Sequence, residues 1–119
     1  MDPFFGFGHS SLLDHGPGRE LLGTLDPDTA REIVELGVIP CFDRRYRHVV
    51  KALKRRFGIP LPSSGKRGPR PKPGDEILIA WVEAPTRPFL VDPREYDEDE
   101  LEEATYFFTY EQVVAEQVA

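Results

Sequence analysis

Lys72-Pro-Gly-Asp-Glu-Ile-Leu-Ile-Ala-Trp-Val82 is the stretch on which the fold turns. Lys72 to Asp75 is turn chemistry, and Ile77 to Val82 is an unbroken apolar run of strand length. A run that is apolar at every position predicts a central strand covered on both faces. A helix stands ahead of it. Tyr46, Val49, Val50, Leu53 and Phe57 recur at helical spacing, Asp43 can cap the start, and Gly58 with Pro60 stops the end. Further back, Asp26 caps a first helix. Pro27 suits its first position, Asp28 its first turn, Ala30, Ile33 and Val34 form its inward stripe, and Gly37 ends it.

Outside this frame, Phe4, Phe5 and Phe7 predict a first strand, and residues 15–18 a loop. Val38 to Phe42 is a short apolar link, extended and buried. Residues 60–74 form a basic loop rich in Pro, Gly and Ser, and Ala84 to Pro93 is an extended edge segment interrupted by prolines. Asp97 to Glu103 reads as a short acidic helix or turn, and Thr105 to Tyr110 as a last strand. Thr109 with Gln112 has the spacing of a capping box opening a short C-terminal helix. The expected architecture is α+β, a small mixed β-sheet packed against two main helices. It is one domain over residues 1–119, with a basic helix and loop at 43–73 and an acidic segment at 92–119.

The charge is segregated. Phe42 to Lys72 carries eleven Lys/Arg against one carboxylate, whereas residues 92–119 carry ten acids and one base. A net charge of −6 conceals this, and the local field of the basic stretch points to a phosphate-rich partner. No apolar run has bilayer length, and Met-Asp-Pro-Phe-Phe lacks the layout of a secretory signal. The single cysteine, Cys41, forms no internal disulfide and is expected to pack. A cytoplasmic protein with no membrane partner is expected.

Arg44 and Arg45 fall in the first turn of the second helix, where the helix dipole is already positive, a conflict of about 0.3–1 kcal/mol per exposed charge. A bound anion would offset it. So would Asp43 and the acidic segment, within the fold or across a dimer, and both readings stay open here. At 100° per residue His48 lies about 200° from Tyr46, beside Arg44, Lys51 and Arg55, facing water or a ligand. Lys66, Arg67, Arg70 and Lys72 sit in a loop able to follow a phosphate backbone, without P-loop spacing. His9, Ser10 and Ser11 follow the first strand, and Gly6 and Gly8 would let a ligand approach its backbone. Three scattered histidines and one cysteine suggest no metal site, and nothing positions a Ser-His-Asp triad.

The helix-loop-strand block resembles a family of small dimeric proteins encoded by archaeal viruses, phages and bacteria. The family includes viral ring nucleases that act as anti-CRISPRs by destroying cyclic tetra-adenylate, the messenger of type III CRISPR defence. Its pattern is a first strand ending in small polar residues, a helix with an "EARE" flavour, a helix ending "LLGVEVPVNR" and a strand opening "KPGDE". The counterparts here are Phe4–Ser11, Thr29-Ala-Arg-Glu32, Leu53–Pro62 and Lys72-Pro-Gly-Asp-Glu-Ile-Leu-Ile-Ala80. Active members place Gly-His at the head of the second helix, where Arg45 and Tyr46 stand here. Their Arg-Leu-x-Glu-Gly after the central strand is replaced by Pro85-Thr-Arg-Pro88.

The resemblance implies an intracellular homodimer, in the host cytoplasm if virus-encoded, binding cyclic oligoadenylate without a cofactor. Arg44, Arg45, Tyr46, Arg47, Lys51, Ser10, Ser11, Lys66, Arg67 and Arg87 are the candidate ligand-binding residues. If the protein cleaves, it is a metal-independent phosphodiesterase with His48 or His9 as general acid. A second reading is a non-enzymatic inhibitor of a host defence complex, its acidic segment mimicking nucleic acid. A third is a DNA-binding repressor built on two consecutive helices, which the long Val38–Phe42 link argues against.

Overall fold

The computed structural model describes residues 2–8, 18–42, 44–62, 71–84 and 93–114. In chain order the elements are strand β1 (Phe4–Gly8), strand β2 (Arg19–Leu25), helix α1 (Pro27–Leu36), strand β3 (Ile39–Pro40), a 3-10 turn (Arg44–Tyr46) and helix α2 (Arg47–Phe57). Strand β4 (Glu76–Glu83), a second 3-10 turn (Pro93–Glu95), helix α3 (Glu98–Glu103) and strand β5 (Thr105–Val113) complete it. The strands form one mixed sheet in the order β2-β5-β4-β1-β3. β1 runs parallel to β3 and β4, while β5 runs antiparallel to β4 and β2. The expected α+β class holds, with β4 as the interior strand its apolar run demanded: Ile77 to Val82 are all buried.

The pleat of β4 divides those side chains between two clusters. Leu78, Ala80 and Val82 join Phe5, Phe7 and Phe108 under the helices, against Ala30 and Val34 of α1, Val49, Ala52 and Leu53 of α2, and Leu101 of α3. Ile77, Ile79 and Trp81 face the other way with Phe4 and Val113. Each fully buried large apolar side chain contributes about 1.5–3 kcal/mol, so this register is strongly specified.

Caps delimit the helices much as the residue types require. Asp26 Oδ1 accepts the Thr29 N–H at 2.7 Å, which holds its carboxyl below the usual value. At the end of α2, Gly58 is left-handed (φ 69°) and donates to the Lys54 carbonyl, while Ile59 donates to that of Leu53 and turns into the core. Asp97 and Glu100 form a reciprocal capping box on α3.

Two expectations need correction, and one strand was not anticipated. Residues 19–25 are a strand, because β5 supplies a complete antiparallel partner, with a bulge between Leu21 and Gly23. Strand β5 continues through Thr109 and Gln112, so no capping box forms there; pairing with β4 on one side and β2 on the other keeps those residues extended. The second helix opens with a 3-10 turn, its α-helical part beginning at Arg47 with no side-chain cap from Tyr46. Asp43, the basic loop 63–70 and the segment 85–92 lie outside the described residues. The link between α1 and α2 passes through sheet strand β3, so the two helices are not a helix-turn-helix.

Candidate functional site

β3, β1 and β4 run parallel, so their carboxyl ends point to one edge of the sheet, where ligands of parallel α/β sheets gather, with β3 stopping level with Phe5 and β4 running two residues past the partner of Gly8. The chain enters α2 at this edge. Tyr46 turns inward and stacks on Phe7, ring centroids 4.8 Å apart, within an aromatic group that includes Phe5 and Phe42. Its burial takes it out of the candidate ligand surface, because the helical stripe and the position in the chain make opposite demands and packing wins. Arg44, Arg45 and Arg47, on either side of it, are exposed.

The turn Pro93–Glu95 packs against the head of α2, and Arg94 lies 5.6 Å from the centre of the Tyr46 ring. Sequence reasoning missed Arg94, a base inside an acidic stretch. No local signal could have placed it. His48 is half-buried on the border of the helix face, and Lys51 is exposed one turn further on. His9, Ser10, Ser11, Lys66, Arg67 and Arg87 lie outside the described residues.

The two halves of the basic helix differ in what they touch. Arg55 pairs with Glu102 of α3. Arg56 donates from Nη1 to the carbonyls of Leu101 (3.1 Å) and Ala104 (2.6 Å), with its guanidinium over the rings of Phe57 and Tyr106. These carbonyls form the negative end of α3, so the cation belongs there. Tyr106 also donates to Leu101, and burial pushes its hydroxyl up to about 12. By contrast, the side chains of Arg44, Arg47, Lys51 and Lys54 have no hydrogen bond or ion pair among the described residues. Helix α3 thus engages Arg55 and Arg56 at the end of α2, while Arg44 and Arg47 at its start have no such partner among the described residues.

A second polar constellation lies on the sheet face away from the helices. Trp81 Nε1 donates to Thr109 Oγ1 (2.8 Å), Thr109 donates to Glu111 Oε2 (2.6 Å), and Glu111 Oε1 meets Arg19 Nε at 3.3 Å. Both charged side chains are about nine-tenths buried. Nearby, Cys41 donates to the Phe5 carbonyl at 3.1 Å, and burial pushes its thiol up to about 11. A neutral buried thiol is a packing group and a poor nucleophile. This chain of contacts ties strands together, and no part of it was visible in the sequence. Among the described residues no three His, Cys, Asp or Glu side chains converge as a metal-ligand set.

No protein-family model, curated protein or solved structure matches the chain. No helix among the described residues is long and apolar enough to cross a membrane. The site's own chemistry is guanidinium groups at a helix head, near the carboxyl ends of parallel strands.

Proposed function

We propose that the protein binds a phosphate-rich nucleotide at the head of α2, with Arg44, Arg45 and Arg47 as the phosphate contacts. Cyclic oligoadenylate is the ligand to which the sequence resemblance points. The observation that carries this reading is the division of labour along α2: Arg55 and Arg56 are taken up by α3, while Arg44 and Arg47 remain exposed without a partner among the described residues. Guanidinium forks match phosphate geometry, and a helix head adds positive potential in the same direction.

Turnover, in this reading, needs no metal. A ligand 2′-hydroxyl attacks the adjacent phosphorus, the arginines stabilise the developing charge, and a general acid protonates the departing 5′-oxygen. His48 is the described histidine on α2 that supplies such a proton, next to Arg47 and one turn on from Arg44; His9 is the other nominee. The working unit is a homodimer.

Calorimetric titration of cyclic tetra-adenylate in chelator, with chromatography of the products, tests both levels. Binding that weakens about 10-fold or more in Arg44→Gln/Arg47→Gln supports the phosphate site, since each charge-assisted contact is worth about 1.5–3 kcal/mol. Binding with intact ligand at the end makes the protein a sequestering one; absence of binding removes the proposal. Sedimentation of the same samples reads the dimer.

A further inference from the structure

Beyond the head of α2 the cationic surface continues along the helix. Arg44, Arg47, Lys51 and Lys54 follow at intervals of three, four and three residues. Residues three apart eclipse in a 3-10 turn, and those three or four apart share a face in an α-helix, so the four make a single row. With a rise of about 2 Å per residue in the turn and 1.5 Å in the helix, the steps are about 6, 6 and 4.5 Å and the row about 16 Å long. All four side chains are exposed, and none has a partner among the described residues.

Like charges at these spacings repel by about 0.2–0.5 kcal/mol per pair, and three such pairs run head to tail with no acid between them. The most acidic helix, α3, meets α2 through Arg55 and Arg56, which follow the last member of the row, Lys54, in the chain. The arginine of α1, the partly buried Arg31, is engaged by Asp28 and Glu35. Apart from Lys72 on the turn before β4, what remains among the described residues is one line of stepped cations.

Building on the phosphate site above, we propose that this row is a track for the backbone of a linear single-stranded oligonucleotide, taking about four consecutive phosphates. Evenly stepped cations on one line fit one strand. A duplex presents two backbones about 12 Å apart across its major groove and would call for a second line, which the described surface lacks.

The test is fluorescence anisotropy of the full chain with labelled oligoadenylates of two and eight nucleotides, and an eight-base-pair duplex, across a salt series. With four phosphates engaged, the octamer should bind about 50-fold more weakly at 200 mM than at 50 mM salt, and Lys51→Gln/Lys54→Gln should reduce this to about 7-fold. The dinucleotide should bind more weakly than the octamer. Circular dichroism checks that the glutamine variant stays folded. Equal affinity for dimer and octamer, both weakened by Arg44→Gln/Arg47→Gln, overturns the track and leaves the phosphate site standing. Tighter binding of the duplex overturns the single strand as occupant. Polyglutamate competing as well as the octamer reduces the row to general polyanion attraction, and no oligonucleotide binding at all removes track and phosphate site together.

Discussion

Gly8 shows how one residue of β1 sets the far face of the sheet. A Cβ there would sit 2.5 Å from ring carbons of Trp81, and the indole cannot retreat while its Nε1 holds Thr109 and its ring stacks on Phe107. Gly8→Ala should therefore cost about 1–3 kcal/mol by overpacking, read as a lower urea midpoint with a shifted emission of the protein's single tryptophan. An unchanged midpoint would show that the indole has room. Cys41 makes a prediction in pH. Unfolded, its thiol loses its proton near 9.0; folded, burial retains the proton to about 11. Between those values the unfolded chain binds fewer protons, so this contribution is complete below pH 9 and is lost as pH rises towards 11. Wild type should lose more stability than Cys41→Ala between pH 8.5 and 10.5 in parallel urea titrations. Equal losses would refute the assignment. Such residue-scale facts depend on who sits across the strand, which neighbouring letters in the chain do not say. The sequence suggested a ligand approaching the backbone at Gly8; the indole of Trp81 occupies that space instead.

At the scale of elements, α2 carries both the fold and the candidate site. Its inward stripe was readable because apolar residues at helical spacing have one way to be buried together. Its outward cations were equally readable as charges, but not as paired or unpaired. Arg55 and Arg56 are sequence neighbours with opposite consequences. Arg56 satisfies two carbonyls at the end of α3, and Arg56→Met should cost about 2–3 kcal/mol, in the range of hydrogen bonds to charged groups. The Arg55–Glu102 pair is about half exposed, and Arg55→Gln should cost no more than about 1 kcal/mol. Denaturant titration of the two variants side by side gives the difference; equal costs would contradict the greater weight assigned to the Arg56–carbonyl contacts over the exposed ion pair. The missed strand β2 belongs to this scale too. Arg19 to Leu25 neither alternates cleanly nor runs apolar, and four of its seven residues are exposed at an edge. Its extended form comes from the ladder offered by β5. The same ladder overrides the helix signal of Thr109 and Gln112.

For the molecule as a whole, the sheet order places β4 between β1 and β5 with side chains buried on both faces, while β2 and β3 form the edges. Amides of Ile77 to Val82 should accordingly exchange slowest with solvent deuterium, and those of β2 markedly faster. Protection of β2 equal to that of β4 would mean that its outer edge is covered. By itself the sequence determined the class of architecture, the interior strand, both main helices with their stops, and the segregation of charge. These follow from local rules: period, caps and composition act over a few residues and leave their mark in the letters. Only the tertiary structure decided that β2 exists, that Tyr46 belongs to the core, that Arg94 stands over it, and which cations of α2 stay open. Each of those depends on a partner many positions away, and pairing between distant segments is set by the free energy of the assembled whole rather than by the preference of either segment alone.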